Sequence, residues 1–250
     1  MIPRKRSTIV GALLDLLFPP RCVVTACACR GYWLCPDCLD RIRPLPARRC
    51  PVCAELKLEA GGICPGCVRH PPAFDGAFAL GVYEGSLREA LHGLKYRGQR
   101  PLAAVLARAA AQALQWAEWP AARDGAVGPP TLVALPCHPT RSRERGLDHA
   151  QLLARELAGC LGWPIDRGRL RRVRATRRQV GLSPDERRAN LRAAFLSQPW
   201  QGQDLLLVDD VLTTGASADA AAQALKAAGA GNVHVLAMAR AAPFVDTPTL

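Results

Sequence analysis

Nine of the eleven cysteines fall between Cys22 and Cys67, and their spacing restricts what this part of the chain can fold into. Cys50-Pro-Val-Cys53 and Cys64-Pro-Gly-Cys67 are two C-x2-C knuckles with ten residues between them. Each knuckle presents two thiolates about one turn apart, and two knuckles close a tetrahedral sulfur site that suits zinc. Cys35-Pro-Asp-Cys38 is a third knuckle. Its partner pair comes from Cys22, Cys27 and Cys29. Cys22 with Cys27 leaves a long loop, and Cys27 with Cys29 an unusually tight one. The favoured reading is a second zinc on Cys22, Cys27, Cys35 and Cys38, and the alternative is a degenerate site without metal. A four-thiolate site has no open position, so one or two zincs here are structural and stabilise a core too small to fold alone.

A secreted disulfide domain also carries clustered cysteines. The opening "MIPRKRSTIVGALLDLLFPP" imitates a signal peptide, but Asp15 interrupts the apolar run and "FPPRC" is a poor cleavage site. Ile9, Val10, Leu13, Leu14, Leu16 and Leu17 repeat at helical spacing and predict a short amphipathic helix. No segment is long enough to span a membrane. The expected location is the cytoplasm, where clustered cysteines usually bind metal. A net charge of +12, almost all of it arginine, favours anionic partners. Part of that excess follows from a general richness in Ala, Arg, Gly and Pro.

The composition changes near "RHPPAFDGAF", which places a boundary at about residue 71: residues 1–71 form a helix and a cysteine-rich domain, and residues 72–250 a second domain. Downstream, "AFALGVYEG" reads as a strand. "SLREALHGLKYRG" reads as a helix with Ser86 as N-cap. "PLAAVLARAAAQALQWAEW" is a helix opened by Pro101 and stopped by Pro120. "TLVALPC" is a buried strand and "LDHAQLLARELAGCLG" a helix. "RRVRATRRQVGLSPDERRAN" lacks apolar periodicity and reads as a mobile loop with a short helix after Ser183. "LRAAFLS" and "DLLLVDD" are strands, "SADAAAQALKAAGA" is a helix capped by Ser217, and "NVHVLAMAR" is the last strand. Continuous apolar strands alternating with helices imply an α/β fold with a mostly parallel sheet covered on both faces.

"LLLVDDVLTTGAS" carries the strongest chemical signal outside the cysteines. The strand is expected to end at Asp209 and Asp210, at the carboxyl edge where open parallel sheets bind ligands. Thr213, Thr214, Gly215, Ala216 and Ser217 follow directly before a helix. Amides at a helix N-terminus, with small hydroxyl side chains, form a phosphate cradle. Paired carboxylates accept hydrogen bonds from vicinal hydroxyls and can sit near a divalent metal. The ligand deduced is a sugar with free cis hydroxyls and a phosphate. The plainer alternative is an acidic strand end beside an ordinary helix cap. No P-loop pattern occurs.

The same stretch resembles the phosphoribosyl pyrophosphate motif of type I phosphoribosyltransferases. Together with "LFPPRC", the knuckle pairs, "PPAFDGAFALGVYEGSLREALHGLKYRG", "ALPCHPTRSRERGLDHAQLLA" and "RQVGLSPDERRANLRAAF", it resembles the ComF family of competence-associated proteins over nearly the whole chain. The resemblance implies a double zinc ribbon on a phosphoribosyltransferase-type sheet, and a role in DNA uptake or utilisation during transformation. It implies that Asp209 and Asp210 hold the ribose hydroxyls, and that Thr213 to Ser217 surround the 5-phosphate. Pro136, His138, Arg141, Arg145 and Gly146 would lie at the pyrophosphate loop. The segment from Arg174 to Arg188, with Gln179, would form a hood over the site. "RGLDHAQ", the irregular Cys22/Cys27/Cys29 spacing and Cys137 depart from the family pattern.

Two functions follow. One is a nucleic-acid-associated protein whose partners are phosphoribosyl pyrophosphate or phosphoribose, and single-stranded DNA or a DNA-processing protein. Tyr32 and Trp33 are its only stacking candidates in the ribbon, and Lys95, Tyr96 and Arg97 form a basic-aromatic patch. The other is an active phosphoribosyltransferase that uses Mg²⁺ with phosphoribosyl pyrophosphate, with Asp209 and Asp210 at the catalytic centre and an acceptor the residues do not identify.

Overall fold

The computed structural model describes residues 19–56, 62–114, 128–137, 148–173 and 194–241. The expected amino-terminal helix, Arg141, Arg145, the hood from Arg174 to Arg188 and the short helix after Ser183 lie outside these residues.

Two short helices open the described chain, α1 (Pro36–Asp40) and α2 (Pro65–Arg69). Each starts on a knuckle, where Pro in the first turn fixes a helical φ and loses no hydrogen bond. There follow β1 (Gly76–Val82), α3 (Gly85–Tyr96), α4 (Pro101–Ala113), β2 (Thr131–Ala134), α5 (His149–Leu161), β3 (Leu170–Arg172), β4 (Phe195–Ser197), β5 (Leu205–Leu212), α6 (Ala216–Ala227) and β6 (Val233–Arg240).

Four strands pair in parallel in the order β1-β6-β5-β2. This is the mostly parallel α/β sheet that the alternating pattern predicts. The two central strands are buried on both faces, which is why "LLLV" and "VHVLAMA" run without polar alternation. Their period of two divides the core. Leu206, Val208, Leu236 and Met238 join the core that holds Leu91, Leu102, Leu106, Leu153 and Leu157 of α3, α4 and α5. Leu205, Leu207, Val233 and Val235 face α6, meeting Ala221, Ala222 and Leu225.

Four readings are corrected. "LRAAFLS" does not join the main sheet: Phe195–Ser197 pairs antiparallel with Leu170–Arg172 as a separate ribbon. Only Phe195 of the three β4 residues is buried and Leu196 is exposed, so this strand alternates and cannot take a position covered on both faces. The Arg-rich segment is correspondingly strand over its first described residues, because Leu170 enters the core while Arg171 points to solvent. Ser86 does not cap α3. Glu84 holds the cap position, and Ser86 lies buried with its hydroxyl unpartnered among the described residues. The apolar face of the helix includes this position, and burial takes precedence over capping. Ser217 likewise sits inside the first turn of α6, whose N-cap is Gly215.

The cysteine-rich segment packs onto the sheet and its helices. Cys22, Val23, Leu34, Cys35 and Cys38 share a core with Leu87, Leu91 and Leu94 of α3. The approach is close enough to require Gly93: a Cβ there would come within 2.7 Å of Val23 and 2.8 Å of Leu102. Thr25 donates its amide (2.8 Å) and its hydroxyl (2.7 Å) to Glu89 on the same helix. The Cys50–Cys53 knuckle, the second of the three in chain order, packs on the opposite core, where Ala54 is fully buried with Phe74, Leu212 and Ala216.

Candidate phosphate site and cysteine centres

β5 continues past Asp209 and Asp210 to Leu212, two residues further than expected, because Val211 and Leu212 stay in register with Ala239 and Arg240 of β6. Both acids are half-buried and stand near the carboxyl edge of a central strand. The amide of Asp210 donates to Asp209 Oδ1 at 2.7 Å. Lys95, at the end of α3, places its Nζ 2.8 Å from Asp210 Oδ1, with both side chains mostly shielded. Burial disfavours the Lys95 ammonium, but Asp210 first, then Asp209 and Tyr83, outweigh it and raise its pKa.

The two carboxylates differ electrostatically. Burial, with the charge of Asp210 and a smaller contribution from Asp148, pushes Asp209 up to about 7, against the pull of Lys95 and the Asp210 amide. Asp148 caps α5 by accepting from the Gln151 amide at 3.1 Å. It also accepts from the Cys137 amide at 3.4 Å, which ties the loop after β2 to this corner.

Thr213 and Thr214 are exposed, and Gly215 turns the chain into α6 with φ +78°. A side chain at Gly215 would be strained by that φ and would come within 3.7 Å of the Phe74 ring. The Ala216 amide donates to Thr214 Oγ1 at 3.4 Å, and Gly215 has no side chain to cap the helix. The structure thus brings Asp209, Asp210, Thr213, Thr214, Gly215, Ala216 and Ser217 to one edge. In chemical terms the edge combines two carboxyl groups able to accept from hydroxyls with a helix N-terminus suited to an anion.

The sulfurs form two groups. Those of Cys22, Cys27, Cys35 and Cys38 all lie within 4.8 Å of one another, as do those of Cys50, Cys53, Cys64 and Cys67. Cys27 Sγ is 3.6 Å from Cys35 Sγ, and Cys53 Sγ is 3.5 Å from Cys64 Sγ. Zinc–sulfur bonds of about 2.3 Å in a tetrahedron put sulfurs roughly 3.8 Å apart, so both sets fit zinc. Amides turn inward as the metal would require: Cys64 N–H donates to Cys50 Sγ and Cys67 N–H to Cys64 Sγ, each at 3.4 Å. The Cys29 amide brings the Cys27 thiol down to about 7. Burial opposes ionisation of Cys50, but the amides of Cys64, Cys53 and Val52 bring it down to about 7 as well. Cys29 stands outside the four-sulfur group, beside Cys35 and Asp37. Its neighbours Cys27 and Cys35 push it up to about 12.

Sequence reasoning missed Lys95 as the partner of Asp210, since a cation closing a helix is ordinary. It also missed Arg240. The signal for that residue was present: an arginine ending a fully buried strand needs buried partners.

The double zinc ribbon domain family matches residues 13–69 of the chain. DNA utilization protein YhgH of Salmonella typhi is 33% identical over 215 residues, covering 84% of this chain and 92% of that protein. The protein of the same name from Escherichia coli strain K12 is 30% identical over 212 residues, with 84% and 92% covered. Competence protein F of Haemophilus influenzae is 29% identical over 214 residues, with 83% and 90% covered. Among the described residues, no helix is long and apolar enough to cross a membrane.

Proposed function

The chain belongs to the ComF family, and on that premise we propose that it supports DNA uptake or utilisation through a site that binds a phosphorylated ribose, with phosphoribosyl pyrophosphate and Mg²⁺ as the fitting ligand. The names of its relatives, DNA utilization protein and competence protein, support the role. One observation supports the ligand: paired carboxylates and a helix N-terminus whose cap residue, Gly215, has no side chain meet at the carboxyl edge of a parallel sheet.

In this reading Asp209 and Asp210 accept hydrogen bonds from the 2- and 3-hydroxyls of the ribose. Lys95 keeps the acidic pair from accumulating two uncompensated charges before the ligand arrives. The loop from Thr213 to Ser217 directs amides and hydroxyls at the 5-phosphate. Arg141 and Arg145, outside the described residues, are assigned to the pyrophosphate, where guanidinium forks suit paired oxygens. The bound pyrophosphate would be a leaving group at the anomeric carbon. Zinc on the two cysteine sets holds the ribbon, and we keep the division at about residue 71. A transferase with its own acceptor is the second reading, and the sequence does not identify that acceptor.

Ribose 5-phosphate tests the ligand assignment against its 2-deoxy analogue. The carboxylate reading predicts that loss of one hydroxyl weakens binding about tenfold or more, as expected for a charged hydrogen-bond partner. Equal affinity for the two sugars contradicts it.

A further inference from the structure

Arg240 ends β6 and is 3% exposed. A guanidinium at that depth must satisfy its donors within the protein. Its Nε donates to the Cys53 carbonyl at 3.2 Å. Its Nη1 donates to the carbonyls of Leu212 at 3.0 Å, of Ala241 at 3.0 Å and of Thr213. Its Nη2 pairs with the Glu55 carboxylate at 2.8 Å. Cys53 and Glu55 belong to the second cysteine knuckle, and Leu212 and Thr213 open the loop after β5. Glu55 lies 185 residues from Arg240 in the chain. One buried side chain thus bridges two segments that share no sequence neighbourhood.

The geometry has a consequence for the loop. A carbonyl shares a rigid trans peptide plane with the next residue's N–H, which points the opposite way. With the Leu212 and Thr213 carbonyls drawn onto Arg240, the Thr213 and Thr214 amides point away from the guanidinium. Both threonines are exposed. The knuckle end is equally fixed. Ala54 donates its amide to the Cys50 carbonyl at 2.9 Å, and Cys50 donates to the Glu55 carbonyl at 3.0 Å. Ala54 adopts φ +57°, a left-handed conformation that a residue with a Cβ adopts only when its surroundings hold it there. It is buried in the same core as Phe74, and the Phe74 ring lies beneath Gly215.

We propose that Arg240 is a positioning residue through which the second cysteine knuckle holds the phosphate loop in its binding conformation. The proposal rests on the reading of that loop as a phosphate cradle. Arginine fits the role because its planar fork serves several acceptors at once, whereas a lysine ammonium could not reach the same set. The knuckle is therefore more than a separate stabilising module, since its carbonyl and carboxylate set the orientation of a loop at the other site.

The test uses the full zinc-loaded chain with Arg240→Met and Glu55→Gln. Glu55→Gln removes the ionic contact at the knuckle end, while the Cys53 carbonyl, Arg240 and all eight candidate sulfur ligands stay in place. Two readouts are taken: hydrogen exchange of the 213–217 amides, and calorimetry with phosphoribosyl pyrophosphate and Mg²⁺. Arg240→Met is expected to speed loop exchange about tenfold or more, and Glu55→Gln by a smaller factor, with α5 exchange and zinc content unchanged. Affinity falls in the same order. Loop exchange and affinity as in the wild type, in variants that fold, overturn the proposal. If Arg240→Met does not fold, Glu55→Gln decides: faster loop exchange supports the strut, and unchanged exchange overturns it. Faster loop exchange in a chain whose wild type binds no phosphoribosyl pyrophosphate supports the strut and overturns the cradle reading instead.

Discussion

Asp209 shows how much of a site is decided by what surrounds a residue. Its type and position follow from the sequence, but its charge state depends on burial, on Asp210 beside it and on Lys95 from a distant helix. The sign of its linkage is clear. A carboxyl whose folded pKa lies near 7, above its unfolded value, favours the fold at low pH, and that contribution is lost as pH rises through about 7. Asp209→Asn removes this ionisation while keeping an oxygen to accept the Asp210 amide. Thermal unfolding at pH 5 and pH 8 should show the variant gaining on the wild type at pH 8 relative to pH 5. A difference in melting temperature that is the same at both pH values contradicts the shift. Lys95 could not be assigned from sequence, because a helix-ending lysine gives no hint of the strand tip it reaches.

At the scale of elements, the legible parts are those with one dominant driving force. β5 and β6 read correctly because burial on both faces leaves them no polar alternation, and α6 because small apolar residues repeat along one side. β3 and β4 were not legible as a pair. Each is three residues long, and their pairing spans a stretch of sequence that carries no pattern of its own. The knuckles were legible from spacing alone, since C-x2-C geometry is set locally. Which of Cys22, Cys27 and Cys29 join Cys35 and Cys38 depended on how the chain folds back, and the structure groups Cys22 and Cys27 with them. The two four-sulfur groups lead to an expected zinc content of about two per chain, falling to about one in Cys67→Ser. Elemental analysis of the purified chain checks this, and a wild-type content near one assigns metal to a single group.

Across the whole molecule, the cysteine-rich segment and the sheet cannot be treated as independent. Val23 presses on Gly93 of α3, the helix that delivers Lys95 to Asp210, and the second knuckle meets the loop through Arg240. Sequence reading separated these parts by composition, because contacts between distant segments leave little local trace. The basic excess also acts at this scale. With a net charge of +12, direct binding of single-stranded DNA should weaken steeply as salt rises, with a linear fall of log affinity against log salt. Absence of binding at low salt would leave only a protein partner for the DNA role. The central claim concerns the edge built by Asp209, Asp210 and the loop to Ser217. Isothermal titration of the zinc-loaded chain with phosphoribosyl pyrophosphate and Mg²⁺ tests it most directly. The account predicts saturable one-to-one binding that Asp209→Asn combined with Asp210→Asn abolishes while zinc content stays intact; no binding by the wild type, or unchanged binding by the double variant, would contradict it.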